Sequence, residues 1–230
     1  MRYQVSWLGI PAGELIMRVE RTGEQRLSIS VVARSAGLLE VVYPVEDRFV
    51  TIVEGRSRLP IRHEMDQREG SRVNRKVTLY DQEHFRVIHR KNDNPVEEYL
   101  LDGPVHNEFS SFFFMRTVRF DDGERVVVPT FADKKRHEVE VIWEGREEYA
   151  TLLGPRLTLK VRPHLTFKGL YSKVGDPQIW LTDDDARIPV RMQAKIIIGS
   201  LTAELVEYSG PTGKWRIPAA KVLTGEQGQF

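Results

Sequence analysis

The sequence predicts a mainly β protein: a strongly curved antiparallel sheet, forming a barrel or half-barrel, with one short helix packed on or in it. Three observations predict it. Apolar and polar residues alternate in short runs rich in β-branched side chains, which is the period of a half-buried strand. Glycine, proline and aspartate cluster between the runs at nearly even spacing, as tight reversals require. A single phenylalanine-rich segment abandons that alternation for a helical one. With 230 residues, 40% of them apolar, the chain has enough hydrocarbon for a substantial core.

The first strand is carried by Tyr3, Val5 and Trp7, the second by Leu15, Met17 and Val19, and the third by Leu27, Ile29 and Val31. Residues 9–13 and 21–24 supply the turns, so the chain opens as a meander. Further strands are expected at 40–54, 58–65, 72–80, 84–90, 96–101, 124–131, 136–143, 157–167, 177–182, 187–198 and 201–208. Over 106–117, Phe109, Phe112, Phe113 and Arg116 fall at i, i+3, i+4 and i+7 while Ser110 and Ser111 interrupt any strand pattern. A helix bearing Phe112, Phe113, Phe114 and Met115 must bury most of its circumference, and the hollow of a curved sheet can receive it. Asn107 is the expected N-cap, with Glu108 in the first turn.

Two hairpins echo one another. Arg58-Leu59-Pro60-Ile61-Arg62 follows the turn 54–57, and Arg187-Ile188-Pro189-Val190-Arg191 follows Asp183-Asp184-Asp185-Ala186. Each return strand carries an early proline, where a missing amide donor can point away from the ladder. Convergence of two hairpins and duplication of a half both account for this. Residues 1–208 read as one β-rich domain and 209–230 as a C-terminal tail.

Composition excludes several chemistries. Thirty-four basic against 33 acidic residues leave a formal charge of +1, so no broad attraction to nucleic acid is expected, and Lys134-Lys135-Arg136-His137 is answered by Glu138 and Glu140. There is no cysteine, hence no disulfide, thiolate metal site or cysteine nucleophile. The six histidines show no ligand spacing, no glycine-rich phosphate loop or serine elbow occurs, and Asp183-Asp184-Asp185 lacks the pattern of a calcium loop. No catalytic residue, metal or cofactor is therefore expected. No apolar run approaches the ~20 residues of a membrane-spanning helix. The N-terminus lacks the form of a secretory leader, which fits either a cytoplasmic protein or one whose leader was removed.

Four segments in order, residues 3–14, 43–49, 107–116 and 179–190, resemble a family of bacterial envelope proteins known as domain of unknown function 3108. Glu108 stands where that family more often has an aspartate. The closing hairpin, with Asp183, Asp184, Arg187 and Pro189, also resembles those of lipoprotein-carrier half-barrels. The resemblance implies a periplasmic or outer-membrane-associated protein with no assigned activity, and a lipid, a lipoprotein or another envelope protein as partner. On that basis the leading expectation is a non-enzymatic protein binding an acyl chain or lipid between sheet and helix, with Trp7, Phe112, Phe113, Phe114 and Trp180 as candidate ligand-binding residues. A structural or interaction module with a filled core, and an unrecognised glycan or lipid hydrolase, are the alternatives.

Overall fold

In a computed structural model, residues 1–119, 125–151, 154–164, 176–196 and 198–216 are described. The first half contains strands β1 (Arg2–Trp7), β2 (Ile10–Arg21), β3 (Arg26–Ser35), β4 (Val45–Glu54), β5 (Leu59–Glu69), β6 (Arg72–Asp81), β7 (Arg86–Lys91) and β8 (Glu97–Leu100), with helix α1 (Leu38–Val42) between β3 and β4. Helix α2 (Glu108–Met115) follows. The second half contains β9 (Arg125–Ala132), β10 (Lys135–Thr151), β11 (Gly154–His164), β12 (Gln178–Thr182), β13 (Pro189–Lys195), β14 (Ser200–Gly210) and β15 (Gly213–Arg216).

All fifteen strands form one antiparallel sheet in the order β8-β7-β6-β5-β4-β3-β2-β1-β14-β13-β12-β11-β10-β9, with β15 added to β14. The halves are joined where β1 pairs with β14, Tyr3 opposite Leu205. Strands of this length coil strongly, and the two free edges, β8 and β9, approach without forming a continuous ladder. The segment between them closes part of the seam. Leu101 donates its N–H to the Phe85 carbonyl, His106 donates to Pro129, and Phe131 donates back to His106. Tyr80, Val87, Val105 and Phe131 bury a small core there, flanked by Tyr99. The architecture is the curved, open barrel that the alternation predicts. Close packing of its strands explains Gly13, whose added Cβ would lie 2.1 Å from the Arg34 carbonyl oxygen on β3.

Three expectations are corrected. A second helix, α1, replaces the start of the strand expected at 40–54: Gly37 turns the chain at φ 62°, Leu38-Leu39-Glu40 are good helix formers, and Pro44 forces Tyr43 out of the helical region. The β10–β11 hairpin is far longer than expected because a bulge at Trp143–Gly145 lets β10 bend and continue. The supposed tail contributes β15, with the Trp215 ring tilted against Tyr208 at 4.9 Å; residues 217–230 lie outside the described residues.

Helix α2 is the interior element, and a buried polar row seats it. Thr51, His63, Thr78, His89 and Glu97 are successive cross-strand partners from β4 to β8. Thr51 bonds His63 Nδ1 at 2.9 Å and Thr78 bonds His89 Nδ1 at 3.0 Å. Asn107 joins this row to the helix: its Nδ2 donates to Thr51 Oγ1 at 3.0 Å while its Oδ1 accepts from the Ser110 amide at 2.8 Å. Ser110 Oγ accepts from the Asn107 amide, completing a capping box, and lies 3.1 Å from His106 Nδ1. Phe109 stacks on His63 and tilts against Phe49, and Phe114 stacks on His106. Met115 enters the core formed by Val128, Val141, Leu159, Val161, Ile179 and Leu181.

Asn107→Ala leaves the Ser110 amide without its cap and removes one of the two bonds of Thr51, which keeps His63, in a buried site. It is expected to cost at least ~1–2 kcal/mol, measured by urea unfolding. Burial holds His63 and His106 neutral, lowering both pKa values to about 4; Lys76 adds to the effect at His63, and Glu64 opposes it. Because these folded values lie below the unfolded value of ~6.5, the stabilisation is complete above that pH and is lost as pH falls towards about 4. Between pH 7 and 5 each histidine should remove roughly 2 kcal/mol. His106→Asn should flatten the pH dependence of unfolding by about one histidine's share; an unchanged slope would contradict the assignment.

Candidate functional site

Strand alternation sends Met17, Leu27, Ile29 and Val53 to the concave face, and α2 lays Phe113 and Phe114 across from them. The helix does not fill the hollow. A cavity of about 1030 Å³ remains, with these six side chains on its walls. It opens at the end of the barrel carrying the β2–β3, β4–β5, β12–β13 and β14–β15 turns, and its mouth is basic. Seven arginines line it against three acids, Glu20, Asp185 and Glu207. Apolar depth and a charged rim together can hold a molecule with a hydrocarbon part and a polar end.

Arg116, the C-cap of α2, sits at the junction of depth and rim. Its Nε donates to the Arg187 carbonyl and its Nη2 to the Ala186 carbonyl, both at 2.9 Å, and its guanidinium lies 5.4 Å from the Phe113 ring centroid. Among the described residues no carboxylate pairs with it, and burial pulls its pKa down. The closing hairpin makes this arrangement. Asp184 Oδ1 accepts from Thr182 Oγ1 and from the Ala186 and Arg187 amides, folding the turn so that two carbonyls face Arg116. Asp183 faces elsewhere and pairs with Arg146 at 2.8 Å. Pro189 opposes Leu181 at a bulge, and its carbonyl accepts from the buried Tyr3 hydroxyl at 2.9 Å.

The other candidates do not line the cavity with Phe113 and Phe114. Phe112 meets Phe113 edge to face at 5.3 Å and faces the packed core. Trp180 lies on the convex face, opposite its neighbours Ile179 and Leu181. Its ring is flanked by Arg191 at 5.1 Å and Lys160 at 5.4 Å, its indole nitrogen donates to Glu147, and the bent end of the β10–β11 hairpin brings Tyr149 over it. Trp7 stands at the far end of β1, donating to the Ile198 carbonyl at 2.7 Å. A large aromatic announces burial, but not which face of a sheet it takes.

Of the seven arginines of the mouth, sequence reasoning named only Arg187 as a site residue and missed the other six. A signal existed in the two echoing hairpins. Arg58 and Arg187 both follow a turn, both have positive φ (52° and 41°), and both precede a strand whose proline sits at a bulge, Pro60 opposite Val53 and Pro189 opposite Leu181. The repeated pattern therefore delivers two arginines to one opening. At the start of α2, Glu108 is solvent-accessible inside the curve of the sheet, where surrounding protein raises its carboxyl pKa and Lys76 opposes that rise. A second, shallower hollow of about 590 Å³ follows the seam beside Tyr99 and Leu101, spanned by the Arg136–Asp102 pair at 2.6 Å. Among the described residues no three acidic or histidine side chains converge to hold a metal, and no helix is long and apolar enough to cross a membrane.

Comparison with known proteins agrees with this architecture. The crystal structure of a beta-barrel-like protein of domain of unknown function DUF1849 from Brucella abortus is similar at a TM-score of 0.60 and 8% identity, over 89% of this chain and 94% of that one. That likeness is one of fold. No curated protein matches the sequence. The model of a family described as protein of unknown function (DUF3108) matches residues 2–206, nearly the whole described chain, and the protein belongs to that family.

Proposed function

We propose that the protein is a non-enzymatic binding protein that takes up an acyl chain or similar apolar ligand between α2 and the concave face of the sheet. One observation carries this: the helix leaves about 1030 Å³ open beside Met17, Leu27, Ile29, Val53, Phe113 and Phe114. Protein interiors are ordinarily close-packed, and the volume is that of a ligand site. Ser110–His106, Thr51–His63 and Thr78–His89 pair a hydroxyl with an imidazole, but all three hydroxyls are buried, and the Ser110 oxygen accepts from the Asn107 amide, which suits a cap. A bacterial-envelope setting, periplasmic or outer-membrane-associated, is part of the proposal and is supported by the similarity of residues 3–14, 43–49, 107–116 and 179–190 to envelope proteins.

A second role, as an interaction module, is favoured by the opposite end of the barrel. The β1–β2, β3–β4 and β13–β14 connections lie side by side there because β14, β1, β2 and β3 are sheet neighbours. They expose Leu8, Ile10, Val41, Val42, Tyr43 and Ile198, with Val41 82% accessible. A photo-crosslinker at Val41 that captures one defined envelope protein in cells would support this role.

For the binding role, native mass spectrometry of protein purified from its own host should show an added mass that solvent extraction removes and identifies as a lipid or acyl compound. Leu27→Trp, which narrows the cavity beside Ile29 and Val53, should weaken binding of a fluorescent fatty-acid probe about tenfold or more without unfolding the protein. A clean apo mass together with no probe binding would shift the assignment to the interaction module.

A further inference from the structure

We infer that the cavity selects an amphiphile with an anionic headgroup, its chain among the apolar walls and its phosphate or carboxylate at Arg116 and the surrounding arginines. This rests on the binding role proposed above and names the class of ligand. The chain as a whole is nearly neutral at +1, so seven arginines against three acids around one opening is a local concentration and not a general property of the surface.

The state of those arginines points to what they meet. Elsewhere in the fold arginines are laced to acids across the strands, as in Arg26–Glu54, Arg62–Glu64 and Arg162–Glu144. At the mouth Arg2 pairs with Glu14 and Glu207, but among the described residues Arg18, Arg56, Arg58 and Arg119 form no ion pair with a carboxylate, and Arg116 meets only two carbonyls and the Phe113 ring. Arg116 is the partly buried one of these five, the others being exposed; taking its guanidinium partly out of water without a counter-charge is costly, and the deficit is removed when an anion arrives. The fork of a guanidinium matches two oxygens of a phosphate or carboxylate. Arg116 is positioned for this before any ligand binds, since the Asp184-organised turn and the Phe113 ring fix it where hydrocarbon walls give way to solvent. A neutral headgroup would leave that charge uncompensated and lose its own hydration as well. Two sources share this chemistry, an anionic lipid or fatty acid and a free inorganic anion, and only the first uses the apolar walls.

The test compares dodecyl phosphate, dodecyl-β-maltoside and inorganic phosphate by calorimetry on the full chain, below micelle-forming concentrations. Dodecyl phosphate should bind at least tenfold tighter than the maltoside, with inorganic phosphate weaker still and the preference shrinking as salt is raised. Arg116→Gln should erase most of the preference, with a much larger loss of affinity for dodecyl phosphate than for the maltoside. The double variant Arg18→Gln, Arg56→Gln, on exposed rim positions that do not hold the fold together, should reduce it severalfold should Arg116→Gln fold poorly. Equal binding of the two dodecyl compounds would overturn the headgroup assignment and leave the cavity assignment standing. Binding of neither would overturn both, and inorganic phosphate binding as tightly as dodecyl phosphate would reduce the site to an anion site without an acyl chain.

Discussion

Helix α2 is held at both ends by polar contacts to opposite walls of the sheet, and the interior takes its shape from that constraint. At its start Asn107 caps the helix and donates to Thr51 of the buried Thr–His row. At its end Arg116 donates to the two carbonyls of the Asp184-organised turn. Between these points Phe112 and Met115 commit to packed core while Phe113 and Phe114 are left facing a space that nothing in the described chain fills. A helix anchored only by grease could settle deeper into the hollow; one fixed by directional bonds at each end cannot, since settling would strand buried polar groups.

Topology explains why the helix is there. The two edges of the sheet, β8 and β9, are consecutive in sequence, so the chain that leaves one edge must cross to the other. It does so through the concavity, zipping part of the seam with residues 101–106 and then laying down α2. The edges remain short of a closed ladder, and the seam is covered by the Tyr80–Phe131 core and by ion pairs such as Lys134–Glu97 at 2.6 Å. This protects strand edges that would otherwise be open to other chains.

The molecule is polar along its axis. One end gathers arginines around an apolar cavity; the other exposes aliphatic side chains from neighbouring turns. Both follow from connectivity, because antiparallel neighbours place alternate turns at alternate ends. At the mouth only Arg2 finds acids across the strands, Glu14 and Glu207; Arg56, Arg58 and Arg187 sit in or beside turns that project beyond the ladder.

Most of the architecture was legible in the chain. Alternation at Tyr3-Val5-Trp7 and its repeats specified strands, since the pleat has a period of two. The spacing of Phe109, Phe112, Phe113 and Arg116, after a capping asparagine, specified α2, since those positions share a helical face. Short connections specified antiparallel neighbours and hence a coiled sheet. The site was only partly legible. Phe113 and Phe114 line the cavity, but Trp180 took the convex face and Trp7 the far end, because burial by a neighbouring strand and burial by a helix leave the same mark on a sequence. The arginines of the mouth come from five separate stretches, residues 2, 18, 56–58, 116–119 and 187. Local periodicity fixes which residues share an element; only the closing of the sheet, through pairing of β1 with β14 some 200 residues away in the chain, decides which of them meet across the hollow.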